Sequence, residues 1–314
     1  MLKRSLQALN DGAKHTIEDI LRLVERRNRE IDVHVKKIPL SMLDGWSADA
    51  DGSLRHASGK FFSVEGIEVR TNSGAVPRWT QPIINQGEVG YLGLIAKDFD
   101  GVLHFLAQLK IEPGNINRVQ VSPTLQATRS NFSQVHRGKK PLYLDNFRNA
   151  APSQIIVDQL QSEHGSRFLR KRNRNIVIMA AGDVEEQEGF CWMTAGQLKA
   201  LMRIDNMVNS PARSVFSLLD FGPPDDGRGL HSFDHLLSWL TGVKSDSELV
   251  VRPYQLNRMT DWLARDGEIV HSEDKFFRVA GISVSIAGRE VTSWSQPVIV
   301  PVHCYLCAFI IKEI

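Results

Sequence analysis

The sequence has few cysteines, little net charge and no long apolar run, and each shortage excludes a class of protein. Three cysteines in 314 residues cannot form the disulfide framework of a secreted scaffold. Lys and Arg number 38 against 36 Asp and Glu, so the net charge of +2 gives no broad field for a polyanion. No stretch approaches the ~18 apolar residues of a membrane helix, and the first residues lack the apolar core of a secretory signal. We expect a reduced, cytoplasmic protein that binds neither bulk nucleic acid nor membrane.

An internal repeat is the strongest organisational signal in the sequence. Residues 52–99 and 267–314 align without a gap at an offset of 215, and 16 of the 48 pairs are identical, far more than chance gives. The identical pairs include two tryptophans, Trp79 and Trp294. The chain therefore contains two copies of one module.

The periodicity within the copies predicts a fold of mixed class. Apolar and other residues alternate over residues 61–71 and 276–286, as is typical of strands, and residues 90–97 and 102–111 continue the pattern. Helical spacing predicts helices after a cap at Thr16 and at residues 153–172, 194–206 and 232–240. The class predicted is α+β.

The composition also predicts where the modules divide. Residues 221–229 are dense in Pro, Gly and Asp, which is typical of a linker. We predict a first module over residues 1–220, a linker with a helix over 221–245, and a second module over 246–314. The second copy stops at the residue aligned with Phe99, whereas the first continues to Phe147, so we expect the second module to be incomplete.

Polar side chains crowd residues 101–147, where strand propensity alone favours a plain hairpin. The run 126–131, QATRSN, offers a guanidinium, two hydroxyls and two amides. This set suits a diphosphate and the polar edges of a base or sugar. An ordinary polar loop with turns is the alternative. Because loops often carry function, the segment is a candidate site.

The longest motifs of the sequence are GVLHFLAQLKIEPGN (101–115), SPTLQATRSNFSQVH (122–136), PLYLDNF (141–147) and RIDNMVN (203–209). A W-(T/S)-QP pattern occurs in both copies of the repeat. Together these motifs resemble the NDP-hexose 2,3-dehydratases of deoxysugar biosynthesis, over nearly the whole chain. The resemblance implies tandem Nudix-like modules, a homodimer, a dTDP-4-keto-6-deoxy-glucose substrate and no cofactor, with a 3-ketoreductase acting on the product.

The resemblance also implies which residues bind the nucleotide sugar. The matched motif at 122–136 assigns substrate contacts to Gln126, Thr128, Arg129, Ser130, Asn131 and Phe132. The resemblance adds Ser166, outside that motif, as an expected contact. Trp46 and its repeat partner Trp262 are expected to stack on the thymine ring. For each tryptophan, a core anchor that ends a helix is the alternative.

The implied reaction needs acids and bases near the sugar. A ketone at C4 acidifies the hydrogen on C3, so a positioned base removes it when donors stabilise the enolate, and the C2 hydroxyl then leaves with help from an acid. The candidates in this region are Lys110 and Arg129 as electrophilic partners, and His136, Glu112 and Tyr143 as proton carriers. The sequence alone does not rank them.

Two other functions compete with catalysis. One is a nucleotide-sugar-binding module without turnover. The other is nucleic-acid binding through the basic residues of 167–174, which fall at the end of the helix predicted for 153–172. A Cys-x-x-Cys pair at Cys304 and Cys307 is one half of a zinc site, and the chain has no second pair, so we expect no metal.

The proton-carrier assignment of His136 gives a direct prediction. His136→Ala is expected to lower turnover by about 100-fold or more, because a positioned acid or base contributes on that order, while substrate binding is largely retained. Steady-state kinetics and calorimetric titration with dTDP measure the two quantities. Near-normal turnover removes His136 from the candidates.

Overall fold

The computed structural model describes residues 1–128, 140–222, 230–286, 292–304 and 306–311. Over these ranges the helices are α1 Leu2–Gln7, α2 Ile17–Glu30, α3 Leu144–Arg148, α4 Ala195–Leu201, α5 Ser210–Phe216 and α6 Phe233–Asp246. The strands are β1 Val33–Ile38, β2 Trp46–Ala48, β3 Leu54–His56, β4 Ser63–Thr71, β5 Arg78–Asn85, β6 Gly90–Phe99, β7 Val102–Ile111, β8 Val119–Ser122, β9 Leu125–Ala127, β10 Ile155–Ser162, β11 Arg172–Met179, β12 Phe190–Thr194, β13 Leu249–Tyr254, β14 Trp262–Arg265, β15 Glu268–His271, β16 Phe277–Ile286 and β17 Ser293–Pro301. The predicted α+β class is confirmed, and the Nudix-like architecture and the domain boundaries stay predictions. Within those ranges no helix combines the length and apolar character that crossing a membrane requires.

A seven-stranded sheet forms the core of the first copy. Its order is β10-β11-β6-β7-β12, with β8 on β7 and β9 on β6, and β11 runs parallel to β6 while the other pairs are antiparallel. Alternate residues of β6 face two apolar clusters: Leu94 packs with residues of α2, α4 and α5, and Ile95 packs with residues of α3. The sheet is therefore buried on both faces, as expected when helices cover each side.

Two five-stranded sheets exchange strands between the copies. The strand β1 pairs with β16 of the second copy, and β13 pairs with β4 of the first. The two registers are equivalent, since Ile38 lies opposite Gly281 and Tyr254 lies opposite Gly66. Each copy thus supplies one strand to the sheet of the other.

The repeat is confirmed at the level of structure. The helix α2 recurs as α6, and the strands β1 to β5 recur in order as β13 to β17, each beginning 214 to 216 residues later. The one-turn helices Leu40–Met42 and Leu256–Arg258 correspond in the same way. The short helix-like stretches that precede Trp46 and Trp262 are therefore 3₁₀ turns.

The predicted helix over residues 153–172 is wrong. That segment contains β10 and a connection that leads into β11. The strand β10 begins with Ile-Ile-Val, and β-branched residues favour a strand. The predicted helix over 194–206 is real but shorter, and Thr194 caps it through the amide of Gln197. The helix predicted at 232–240 extends to Asp246.

Two equivalent glycines allow the exchanged strands to approach. A Cβ atom at Gly66 would collide with the carbonyl of Tyr254 and lie 2.6 Å from Cε of Met259. A Cβ atom at Gly281 would lie 2.6 Å from the carbonyl of Ile38. In each case the obstacle includes backbone, which cannot move without disturbing the sheet.

The close approach predicts that both glycines are sensitive to substitution. Gly66→Ala and Gly281→Ala are each expected to lower the free energy of unfolding by about 1–3 kcal/mol, as overpacking typically does. Gly114→Ala is the matched control, because nothing lies within 4 Å of a Cβ atom at Gly114. Denaturant unfolding measures all three, and losses no larger than that of the control would contradict the prediction.

Candidate active site

The candidate site lies where the strands β6 and β7 diverge. The two strands pair from Phe99 and Val102 as far as Ile95 and Leu106, and beyond that point β8 pairs with β7 while β9 pairs with β6. Thr124, at the tip of the β8–β9 hairpin, donates its hydroxyl to the carbonyl of Leu106 and accepts from the amide of Ile95 at 3.0 Å. The buried hydroxyl satisfies backbone groups where the strands separate, and so fixes the hairpin between them.

Five polar side chains meet beside this hairpin, and we name Lys110, Glu112, Ser122, Gln126 and Asn209 the polar cluster. The Gln126 amide donates to a Glu112 oxygen at 2.9 Å, and its own oxygen accepts from Asn209 at 3.1 Å. Asn209 also donates to the Ser122 hydroxyl at 2.5 Å. The Lys110 ammonium donates to the Gln126 carbonyl at 3.3 Å.

The polar cluster contains a partly buried ion pair, formed by the ammonium of Lys110 and the carboxylate of Glu112. Nζ of Lys110 lies 3.8 Å from Oε1 of Glu112, and the exposed fractions of the two side chains are 16% and 32%. Screening by water is reduced at such a site, so both charges act more strongly on a bound molecule than they would at the surface. The pair offers a carboxylate that can take a proton and an ammonium that can stabilise the negative charge that then develops on a bound molecule.

The structure brings together three of the residues predicted from sequence, namely Lys110, Glu112 and Gln126. Thr128 follows directly after β9 and is half-buried. Five predicted residues lie outside the described residues: Arg129, Ser130, Asn131, Phe132 and His136. Their roles stay predictions.

Two members of the polar cluster were missed as site residues. Ser122 and Asn209 are both buried, and they come from segments more than 80 residues apart. Each lies within a motif already singled out, Ser122 at the start of SPTLQATRSN and Asn209 at the end of RIDNMVN. The motifs were therefore the available signal, and the contact between them was not visible in the sequence.

Two further predicted residues meet at β5. The Trp262 indole donates to the carbonyl of Thr80 at 2.9 Å, and the Gln81 amide donates to the carbonyl of Ser166 at 2.9 Å. Trp262 is buried, with its ring 4.7 Å from that of Phe277. This geometry gives Trp262 the core-anchor role that was the alternative to stacking, and the thymine contact stays a prediction.

Trp46 is the equivalent residue in the first copy. Its indole donates to the carbonyl of Ser295 at 3.2 Å, and its ring lies 5.0 Å from that of Phe62. Trp46 is half-buried, so it is more accessible than Trp262. Each tryptophan thus hydrogen-bonds across to the other copy of the repeat.

The comparisons with known proteins agree on one family. A family model described as NDP-hexose 2,3-dehydratase matches residues 17–219 and 233–314. The chain belongs to the NDP-hexose 2,3-dehydratase family.

Three curated relatives carry the name dTDP-4-dehydro-6-deoxy-alpha-D-glucopyranose 2,3-dehydratase. The protein of Saccharopolyspora spinosa is 43% identical over 91% of this chain and 63% of its own length. Those of Streptomyces violaceoruber and Amycolatopsis orientalis are 45% and 41% identical, over 89% and 98% of this chain and 66% of their own lengths. This NDP-hexose 2,3-dehydratase family member thus spans about two thirds of the length of these relatives.

Tyr143 holds a neighbouring loop of this dehydratase-family chain. Its hydroxyl donates to the carbonyl of Glu185 at 2.7 Å and accepts from the amide of Gln187 at 3.1 Å. Burial raises the pKa of the Tyr143 hydroxyl above that of an exposed tyrosine. The observed contacts are structural, and the proton-carrier role of Tyr143 stays a prediction.

Two of the basic residues near position 170 make hydrogen bonds within the chain. Lys171 is buried and donates to the carbonyl of Glu88 at 2.6 Å, and burial lowers the pKa of Lys171. Arg174 lies on β11 and donates to both oxygens of Asp158, at 2.8 and 2.5 Å. Because there is no helix end here and these two cations are paired internally, the nucleic-acid alternative loses its main support.

A cavity of about 600 Å³ lies between α2 and residues 186–190. Its wall carries charges of both signs, and several of them pair with each other. Arg27 binds Glu188 at 2.7 Å, and Nε2 of His15 lies 2.9 Å from Oε1 of Glu186. The cavity contains none of the site residues predicted from sequence, so the polar cluster is the better candidate for the reaction centre.

The contacts of Tyr143 predict a stability effect. Tyr143→Phe removes the hydroxyl that bridges Glu185 and Gln187, so the free energy of unfolding is expected to fall by about 1–2 kcal/mol. Tyr254→Phe is the matched control, because the Tyr254 hydroxyl has no hydrogen-bond partner in the part of the chain that the structure describes. Chemical denaturation measures both variants, and equal effects would show that the bridge does not stabilise the loop.

Proposed function

We propose that the chain is a lyase that removes water across C2 and C3 of dTDP-4-keto-6-deoxy-glucose. Family membership and the names of the relatives support the reaction class. The observation that carries the proposal is the convergence of Lys110, Glu112 and Gln126, three residues singled out by their chemistry, in one partly buried cluster.

The proposed mechanism begins at C3. The ketone at C4 makes the C3 hydrogen acidic, and the Glu112 carboxylate takes this proton. The electron pair moves to O4, where the Lys110 ammonium stabilises the enolate. Lys110 and Glu112 lie 3.8 Å apart, so a substrate carbonyl and the adjacent C–H can contact both.

The second step expels the C2 hydroxyl. The enolate re-forms the ketone as the C2–O bond breaks, and a general acid protonates the leaving hydroxyl to give water. His136 and Tyr143 stay the proposed proton carriers for this step, and Arg129 stays a proposed electrophilic partner beside Lys110. The enol left at C2 and C3 tautomerises to a 3,4-diketo-2,6-dideoxy sugar. Because the loss of water involves no net oxidation or reduction, the reaction requires no redox cofactor.

The remaining partners belong to the same proposal. The product keeps two adjacent ketones, so a 3-ketoreductase is the class of enzyme that consumes it. A homodimer is proposed on the resemblance, and a cytoplasmic location is proposed on the low cysteine content.

The reaction is tested with purified protein, dTDP-4-keto-6-deoxy-glucose, a 3-ketoreductase and NADPH to trap the diketone. Glu112→Gln is expected to lower product formation by about 100-fold or more, because the amide cannot take the proton, while dTDP affinity measured by calorimetry is retained. Glu18→Gln, on the exposed face of α2, is the control.

Three outcomes separate the hypotheses. Turnover by Glu112→Gln close to that of the wild-type chain would exclude Glu112 as the base. If the unmodified chain binds dTDP and yields no 2-deoxy product, it is a nucleotide-sugar-binding module. If it shows neither binding nor turnover, the proposed function is rejected.

A further inference from the structure

Asn209 connects a helix terminus to the polar cluster. It is the N-cap of α5, where its side-chain oxygen accepts from the amide of Ala212 at 2.9 Å. Its side chain is buried, and its backbone N–H donates to the carbonyl of Val121 at 2.9 Å. The residue is thus fixed by backbone at both ends, independently of Gln126 and Glu112.

The cap determines which way the Asn209 side chain points. Only the oxygen of its amide can accept from the Ala212 N–H, so the nitrogen must face Ser122 and Gln126. That nitrogen lies 2.5 Å from the Ser122 hydroxyl and 3.1 Å from the Gln126 oxygen. The orientation therefore follows from the helix terminus, although the two ends of an amide are difficult to tell apart by shape alone.

The orientation of Asn209 in turn determines the orientation of the Gln126 amide. Because the Gln126 oxygen receives the Asn209 N–H, the Gln126 nitrogen is directed at Glu112, 2.9 Å away. With the amide reversed, an oxygen would face the Glu112 carboxylate and repel it. The N–H of Gln126 instead donates to a carboxylate oxygen and so holds the Glu112 side chain in one direction.

We propose that Asn209 is a positioning residue that orients the Gln126 amide toward Glu112. This inference rests on the proposed function for its effect on rate. Among the described residues, Lys110 is the charged side chain within ion-pair distance of Glu112, and it also binds the Gln126 carbonyl. Asn209 therefore acts on the polar cluster through Gln126, without touching the reacting atoms.

Two variants remove the donor and keep the cap. Asn209→Asp retains an oxygen for the Ala212 amide and loses the N–H group. Asn209→Ser also retains a capping oxygen, adds no charge, and is too short to reach Gln126. Both are expected to melt close to the wild-type temperature. Asn209→Ala, which loses the cap as well, is expected to melt lower.

The first readout does not require turnover. The side-chain amide of Gln126 is followed by ¹H–¹⁵N NMR on protein labelled at glutamine, with Gln126→Ala to assign the signal. In both donor-free variants the amide proton that faces Glu112 is expected to move upfield, because the Gln126 amide is no longer held at hydrogen-bond distance from the carboxylate. A signal unchanged in Asn209→Ser would overturn the proposal, and a change confined to Asn209→Asp would assign the effect to the added charge and overturn it equally.

The second readout is kinetic. Asn209→Ser is expected to lower kcat about tenfold with little change in KM, since the carboxylate is misdirected while substrate contacts remain. In a Gln126→Ala background the same substitution is expected to have no further effect on kcat. Additive effects in the double variant would show that Asn209 does not act through Gln126.

The two proposals fail in different ways. If the unmodified chain yields no dehydration product, the proposed function fails, and the NMR signal of the Gln126 amide still decides whether Asn209 orients Gln126. If turnover is present and that signal does not move, the positioning role alone is rejected.

Discussion

The reciprocal exchange of β1 and β13 is the constraint on which the two copies depend. Each five-stranded sheet takes a strand from the other copy, and the carbonyls of Ile38 and Tyr254 lie directly against Gly281 and Gly66. The indoles of Trp46 and Trp262 add a second pair of equivalent hydrogen bonds between the copies. A shared apolar cluster fills the junction, with Ile84 from one copy and Phe277 from the other. The first copy therefore reaches its full structure only with strands that lie about 200 residues further along the chain, and such non-local pairing orders a large length of backbone at once.

The candidate site is built on the sheet that follows this junction in the chain. There the backbone is held by strand pairing on each side of the β8–β9 hairpin, and the Thr124 hydroxyl replaces the hydrogen bonds lost where β6 and β7 separate. Lys110 projects from β7 and Gln126 from β9, while Asn209 arrives at the start of α5. A side chain on a paired strand or at a capped helix terminus varies less in position than a side chain on a loop. This rigidity supports a role for the polar cluster in a reaction that needs a base, a cation and a donor in fixed relation.

The sequence predicted the local features well and the long-range ones poorly. Identities between the copies predicted the repeat, and alternation predicted β4, β6 and β7, because both signals lie within short stretches of chain. The exchange of β1 for β13 could not be predicted, since equivalent strands have similar patterns and either fits either sheet. The helix prediction over 153–172 was wrong because the spacing of apolar residues in a short segment does not distinguish a helix from a strand. The segment forms a strand because it pairs with β11. Lys110, Glu112 and Gln126 could be selected by chemistry, whereas Asn209 becomes relevant only when α5 is placed beside β8.

The helices α2 and α6 show how far equivalent sequence determines equivalent structure. Both have 14 residues, and each begins after a hydroxyl cap, Thr16 in one and Ser232 in the other. Ile20 of α2 is fully buried against the seven-stranded sheet, whereas its equivalent Leu236 in α6 is 45% exposed. The caps and the apolar spacing are local, so they form a helix in both copies. Burial of the apolar face is not local, because in the first copy it depends on the sheet that β6, β7 and β8 provide. Helix formation and helix packing are therefore specified by separate parts of this sequence, and the repeat separates them within one chain.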